Sequence, residues 1–236
     1  MNINSVSEEV LRENTIIELK NEGKKVLQNK QTAYEISKRI IDVIGATVGI
    51  VTLIPLTIGV FIAKLFTNDK GTVFYSQNRI GKDGKIFKMY KFRSMVVGAD
   101  DILQEYLNSN KEANEEYRIN KKLKDDPRVT KVGEFIRKTS IDEFPQFVNV
   151  LKGEMSLVGP RPYLPREIDD IGEYYPYITS VKPGITGLWQ IRGRNDVTFK
   201  DRLNLDMEYF KKKNLLFETK ILLWTISSVV HKKGAK

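Results

Sequence analysis

The chain has no cysteine and a single histidine, His231, in 236 residues. Without thiols there is no disulfide framework and no thiolate metal site, and nothing points to an oxidising compartment, so a cytoplasmic setting is the default. The lone histidine sits in a lysine-rich tail beside Lys232 and Lys233, which excludes a histidine triad or a histidine-metal centre. No Walker-type or GxGxxG phosphate loop is present, so a kinase or dinucleotide-binding reading has no anchor. Internal repeats and low-complexity linkers are also missing.

What is present is an ordinary hydrophobic content of 41% and a surplus of basic residues, 39 Lys and Arg against 30 Asp and Glu, for a net charge of +9. The length suits one catalytic domain with appendages, and the charge suits nucleic acid, anionic lipid or phosphorylated substrates.

There is one long apolar run, Ile40 to Phe66. At ~1.5 Å per helical residue it is long enough to traverse a bilayer core of ~30 Å. It begins too far into the chain, and lacks the cleavage site, for a removable signal peptide. Lys24, Lys25, Lys30, Lys38 and Arg39 precede it, and Lys64, Lys70, Arg79 and Lys82 follow, so both flanks have cytoplasmic character. Pro55 lies near its middle, where it removes a backbone donor and crowds the carbonyl one turn earlier. Two cationic flanks and a bend at Ile54-Pro55 predict a re-entrant membrane hairpin ahead of a straight span or a buried core helix. The hydroxyl of Thr52 or Thr57 is available for a freed carbonyl.

Elsewhere, residues 1–37 read as an amphipathic extension, interrupted near Gly23. Thr72 to Gln77 and Lys85 to Phe92 are β-prone and joined around Asp83-Gly84, which predicts a hairpin. Asp100 to about Lys122, Phe199 to Phe210 and Leu215 to Val230 read as helices. The last, with Trp224 and flanking Lys211, Lys212 and Lys213, suits either the membrane interface or the domain core. The expected fold is α+β and mostly helical. It has an extension over 1–37, a membrane hairpin over 38–68 and a catalytic domain over 69–236 that ends in the interfacial helix.

The segment Arg137 to Pro162, RKTSIDEFPQFVNVLKGEMSLVGPRP, sets two adjacent carboxylates, Asp142 and Glu143, between Arg137 and Arg161. Ser140 followed by Glu143 has the form of a capping box, and acids favour a first helical turn, so a purely structural role accounts for the pattern taken alone. The same helix start would keep Asp142 ionised and aim N–H groups at a phosphate. A charged carboxylate can serve as a nucleophile. Its approach to a diphosphate needs cations. Mg²⁺, shared between carboxylate and phosphate oxygens, is suited to this, with Glu143 as candidate ligand. Arg137, and Arg161 in the turn Gly159-Pro160-Arg161-Pro162, could clamp phosphate bidentately.

The blocks TSIDEFPQ, KGEMSLVGPRP and VKPGITGLWQIRGRN resemble those of the bacterial sugar transferases that load polyprenyl phosphate, the monotopic phosphoglycosyl transferases. The resemblance runs from about Lys38 to about Val230. It implies that Asp142 attacks the sugar-linked phosphate of a UDP-sugar, expels UMP and passes the phosphosugar to undecaprenyl phosphate. This would be the first step of a capsule, exopolysaccharide, O-antigen or glycoprotein glycan. It also implies that Lys91 and Arg161 belong to the phosphate or nucleotide site, and that the re-entrant helix anchors the enzyme on the cytoplasmic face of the inner membrane. Asp126-Pro127-Arg128 and Pro183 to Gly187 match further blocks and are assigned to the pocket wall. Arg194, in Gly193-Arg194-Asn195, is either a substrate contact or part of a structural turn. Where the family commonly bends its membrane helix at Ser-Pro, this chain has Ile54-Pro55.

The partners expected are a UDP-sugar, undecaprenyl phosphate and membrane lipid, with no nucleic acid and with a homo-oligomer allowed. Two alternatives stay open: a glycosyltransferase that releases UDP, and a non-catalytic basic membrane adaptor. The residues do not name the sugar.

Overall fold

The computed structural model describes residues 3–67, 71–192 and 197–230, with side chains from 31 to 228. The chain divides into two compact units, 1–41 and 42–236. The first is the N-terminal part of helix α1 (Ile3–Leu65), which continues into the second.

In the second unit, α1 is followed by an antiparallel hairpin of β1 (Phe74–Ile80) and β2 (Ile86–Phe92), in which Tyr75 faces Lys91 and Arg79 faces Phe87. Its turn holds Asp83 and Gly84 at φ of 57° and 73°, the left-handed region that Asp and Gly tolerate. The charged stretch after it forms two helices rather than one, α2 (Ala99–Ser109) and α3 (Lys111–Asn120). Asn110 divides them because its Oδ1 accepts the Ala113 N–H and caps α3.

Helices α4 (Lys131–Lys138) and α5 (Gln146–Lys152) then bracket the Asp-Glu pair. Strand β3 (Ser156–Val158) pairs in parallel with β4 (Gly184–Thr186) across the short helices α6 (Ile168–Ile171) and α7 (Tyr175–Thr179). Helix α8 (Leu188–Arg192) precedes α9 (Phe199–Lys212) and α10 (Leu215–Val230). The unit is thus mostly helical with a hairpin, as the sequence predicts, and with a second small parallel sheet that it does not.

The main core gathers Phe87, Met89, Val150, Met155, Val158, Leu188, Tyr209 and Ile221, together with Ala46 of α1. Helix α10 therefore packs on the core through Ile221, while Leu216, Leu223, Trp224 and Ile226 remain exposed on its other side.

Within this unit α1 lies against its neighbours along one stripe: Asp42, Ala46, Gly49, Leu53, Leu56, Val60 and Lys64 are buried or half-buried. The 3- and 4-residue spacing is that of a single helical face, and it spans ~33 Å at ~1.5 Å per residue. Asp42 Oδ1 accepts the Ser156 hydroxyl at 2.9 Å and the Leu157 N–H at 2.8 Å, tying the start of the stripe to β3. A β-carbon on Gly49 would sit 2.3 Å from the Phe147 ring, so only glycine permits this approach. Leu53, Leu56 and Val60 pack with Phe92, Val132, Ile136, Ile141 and Phe144. The opposite face exposes Ile44, Val48, Val51, Ile54, Ile58, Phe61 and Leu65.

The bend expected at Ile54-Pro55 is not observed as a break, for α1 stays helical across Pro55. Proline costs one intrahelical bond, that to the Val51 carbonyl, but packing of Leu53 and Leu56 on either side holds the axis against the domain. Neither threonine takes that carbonyl: Thr52 donates to Val48 O and Thr57 to Leu53 O.

Candidate active site

Three elements converge on the carboxylate pair. After α4 the chain turns at Ser140, whose φ of 57° is left-handed, into a single 3-10 turn, Ile141–Glu143. Pro145 fixes the start of α5, and Lys91 reaches in from β2. The capping box is not formed. The Ser140 side chain makes no capping bond, and the Glu143 N–H bonds to the Ser140 backbone carbonyl instead. A left-handed residue leading into a three-residue turn does not have the geometry that lets a serine hydroxyl reach the third N–H of a helix.

Lys91 Nζ lies 3.3 Å from Glu143 Oε1 and 3.7 Å from Asp142 Oδ2, with Asp142 buried and Glu143 more open. The sequence expects a helix start to favour the ionised form of Asp142, whereas the buried 3-10 turn observed here works against it. Burial raises the Asp142 pKa above the usual carboxylate value, and the Glu143 charge adds to this, while Lys91 and Arg137 act in the opposite direction. One 3-10 turn offers too little aligned dipole to offset the loss of water. Lys91 and Arg137 are therefore the groups that favour the charged form of Asp142.

Arg137 also faces Asp126. Burial alone would raise the Asp126 carboxyl, yet it is held below its ordinary value, chiefly by the Arg128 guanidinium bound at 2.6 and 2.7 Å, with Arg137 adding to the effect. The Arg128 carbonyl accepts the Val96 N–H, the Thr130 N–H donates to Ser94 O, and the Thr130 hydroxyl caps α4 by accepting the Gly133 N–H, so the pair buttresses the start of α4.

Arg161 belongs to a second cluster. Gly159 N–H donates to Thr186 O and Gly184 N–H to Pro160 O, so the two strands meet at glycines; a β-carbon on Gly184 would lie 2.1 Å from Gly159 N. Beyond them the Arg161 N–H donates to Asp206 Oδ2 at 3.2 Å, and its guanidinium stands 5.4 Å from the centre of the Trp189 ring. Arg202 stands 5.9 Å from the same ring, and Arg79 donates to the Pro162 carbonyl at 2.9 Å. Burial and the neighbouring Arg161 charge lower Arg79 to about 9 and Arg202 to about 10. Arg194 lies outside the described residues.

Sequence reading singled out Lys91, Arg137, Asp142, Glu143, Arg161 and Pro162, and it missed Arg79, Arg202 and Asp206. The signal available for Asp206 was periodicity: it shares a buried face of α9 with Phe199, Arg202, Leu203 and Tyr209.

Asp142 and Glu143 offer hard oxygen donors suited to Mg²⁺. No cluster of three or more His, Cys, Asp or Glu occurs among the described residues. An ion here would complete its shell with substrate phosphate oxygens and water, as Mg²⁺ commonly does.

The described residues thus hold two charged clusters, the carboxylate pair bridged by Lys91 and the guanidinium groups of Arg79, Arg161 and Arg202. The profile described as bacterial sugar transferase matches residues 33–232, and the chain belongs to that family. Among curated relatives, the galactosyl transferase CpsE of Streptococcus agalactiae is 46% identical over 85% of this chain and 44% of its own length. The exopolysaccharide production protein ExoY of Sinorhizobium fredii is 44% identical over 85% of this chain and 88% of its own. The undecaprenyl-phosphate galactose phosphotransferase of Salmonella typhimurium is 43% identical over 84% and 41%. The chain thus spans less than half of the first and third, and most of the second.

Proposed function

We propose that this protein transfers a sugar-1-phosphate from a UDP-sugar to undecaprenyl phosphate, releasing UMP and starting a lipid-linked surface glycan. The observation that carries the reading is Asp142 beside Lys91, Glu143 and Arg137 in a chain of this family. The names of relatives that act on undecaprenyl phosphate and UDP-galactose support the substrate classes.

In the first half-reaction an Asp142 carboxylate oxygen attacks the phosphorus that bears the sugar. The new O–P bond forms as the bond to UMP breaks, and UMP leaves with the electron pair. In the second, an oxygen of undecaprenyl phosphate attacks the same phosphorus and displaces the Asp142 carboxylate. Lys91 and Arg137 favour the ionised nucleophile, and Arg161 binds phosphate. Mg²⁺ held by Glu143 would reduce the repulsion between the Asp142 carboxylate and the diphosphate. A panel of UDP-sugars scored for released nucleotide checks the reaction: UMP is expected, and UDP would instead mark a glycosyltransferase.

The protein meets the membrane, on this reading, from its cytoplasmic side only. The α1 stripe packs on the same unit at its start, Asp42, and towards its other end, at Val60, while the face that points away is apolar. Two ends bound to one domain are hard to reconcile with opposite sides of a ~30 Å core. Because the chain has no native cysteine, single cysteines at positions 38 and 67 can be labelled in intact cells. Neither is expected to react with an impermeant maleimide until the cell is opened, and labelling of either from outside would contradict the arrangement.

A further inference from the structure

The segment 159–163 is fastened at every residue. Gly159 N–H, the Pro160 carbonyl, the Arg161 N–H, the Pro162 carbonyl and the Tyr163 carbonyl each have a partner, in Thr186, Gly184, Asp206, Arg79 and Ile80 respectively. The Tyr163 hydroxyl adds a bond to Asp206 Oδ2 at 2.8 Å, so one oxygen of that fully buried carboxylate accepts from two residues of the same segment. Against this rigid backbone the Arg161 Nε is buried with no hydrogen-bond partner.

Its surroundings repeat the pattern. Every buried side-chain nitrogen or oxygen without a partner among the described residues belongs to Arg79, Arg161, Trp189, Gln190, Arg202 or Asp206. Buried polar groups are nearly always paired, so unpaired nitrogens on Trp189 and on the two arginines over its ring, Arg161 and Arg202, are not expected of a packed core. Arg79 and Arg202 are at least nine-tenths buried. Arg161 repels both of them, Glu167 partly offsets this on both and Asp206 on Arg202, and an arriving anion would offset it further. Arg79 lies on the same face of the hairpin as Lys91, since it follows Tyr75, the partner of Lys91, by an even number of residues. At ~3.4 Å per residue the two backbones are about 14 Å apart along the strand.

We propose that Asp206, with Tyr163 and Arg79, is a positioning residue that mounts Arg161 as a preset grip for a substrate phosphate. The inference rests on the phosphate-binding role given to Arg161 above. Fixing the backbone beforehand means that the grip loses little freedom when it closes on its ligand. The mount works through geometry, so asparagine at 206 should serve: its side-chain oxygen, in the place of Oδ2, can accept both the Arg161 N–H and the Tyr163 hydroxyl.

The test is calorimetric titration of the full-length protein, in detergent, with inorganic pyrophosphate. The unaltered protein should bind, and Arg161→Ala should abolish binding. Asp206→Ala should weaken it at least tenfold, whereas Asp206→Asn should stay within about threefold. If Asp206→Ala does not fold, Tyr163→Phe, which removes one of the two bonds to the carboxylate, should weaken binding by about threefold. In turnover assays Asp206→Ala should raise KM for the UDP-sugar more than it lowers kcat. No pyrophosphate binding by the unaltered protein, or unchanged binding in Asp206→Ala or Tyr163→Phe, overturns the mount. Binding that depends on Asp206 in a protein that releases no UMP would leave the mount standing and overturn the reaction.

Discussion

Asp142→Asn is expected to abolish turnover, lowering kcat by about 10³-fold or more, as removal of a nucleophile that forms a covalent intermediate commonly does. Asparagine nearly matches aspartate in volume, and the buried site holds no capping bond from Ser140 that the change would disturb. The fold should therefore survive. It should even lose a destabilising feature, because burial already disfavours the Asp142 charge. Stopped-assay measurement of lipid-linked sugar, with thermal unfolding as a control for folding, separates the two effects. A variant that folds and forms product at the unaltered rate removes Asp142 from the nucleophile's role. The unaltered enzyme incubated with labelled UDP-sugar and no lipid acceptor should retain label on the protein, and the variant should retain none.

How this site could be read from the sequence, and where that reading stops, follows from the range of the interactions. The Asp-Glu pair and its flanking arginines are local in sequence, and Arg137 does act on Asp142. Local pattern also suggested a cap at Ser140, and there it misled, since the left-handed conformation of that residue is set by how α4 hands over to α5. The burial of Asp142 was not legible for a related reason: Ile141 and Phe144 beside it pack with Leu53, Leu56 and Val60 of α1, which come from a distant part of the chain. Arg161 shows the same limit. Its place in a Gly-Pro-Arg-Pro turn was legible, but its anchor, Asp206, lies 45 residues on. In α1 the apolar length was evident. That one stripe is buried against the domain while the other face is left open depends on Gly45 and Gly49, whose lack of side chains admits Leu157 and Phe147.

Lys91 is the second residue whose loss should be severe, and its failure should carry a pH signature that distinguishes it from loss of fold. It is the largest cationic influence lowering the Asp142 pKa, and it touches Glu143 as well. Lys91→Met would leave two adjacent carboxylates with only Arg137 opposing their protonation, so the Asp142 pKa, already raised by burial, should rise further. At neutral pH a larger fraction of the enzyme would hold a protonated, non-nucleophilic Asp142, and kcat/KM should fall by about 10²-fold or more. The sign fixes the remedy. Because the acid limb of the pH profile tracks ionisation of the nucleophile, it should move to higher pH in Lys91→Met, and raising the pH should recover part of the rate. Lys91→Arg keeps the charge and should leave the limb near its original position. A profile of kcat/KM for UMP release across the acid limb checks this, and an acid limb that stays in place in Lys91→Met would show that Lys91 does not set the charge on Asp142.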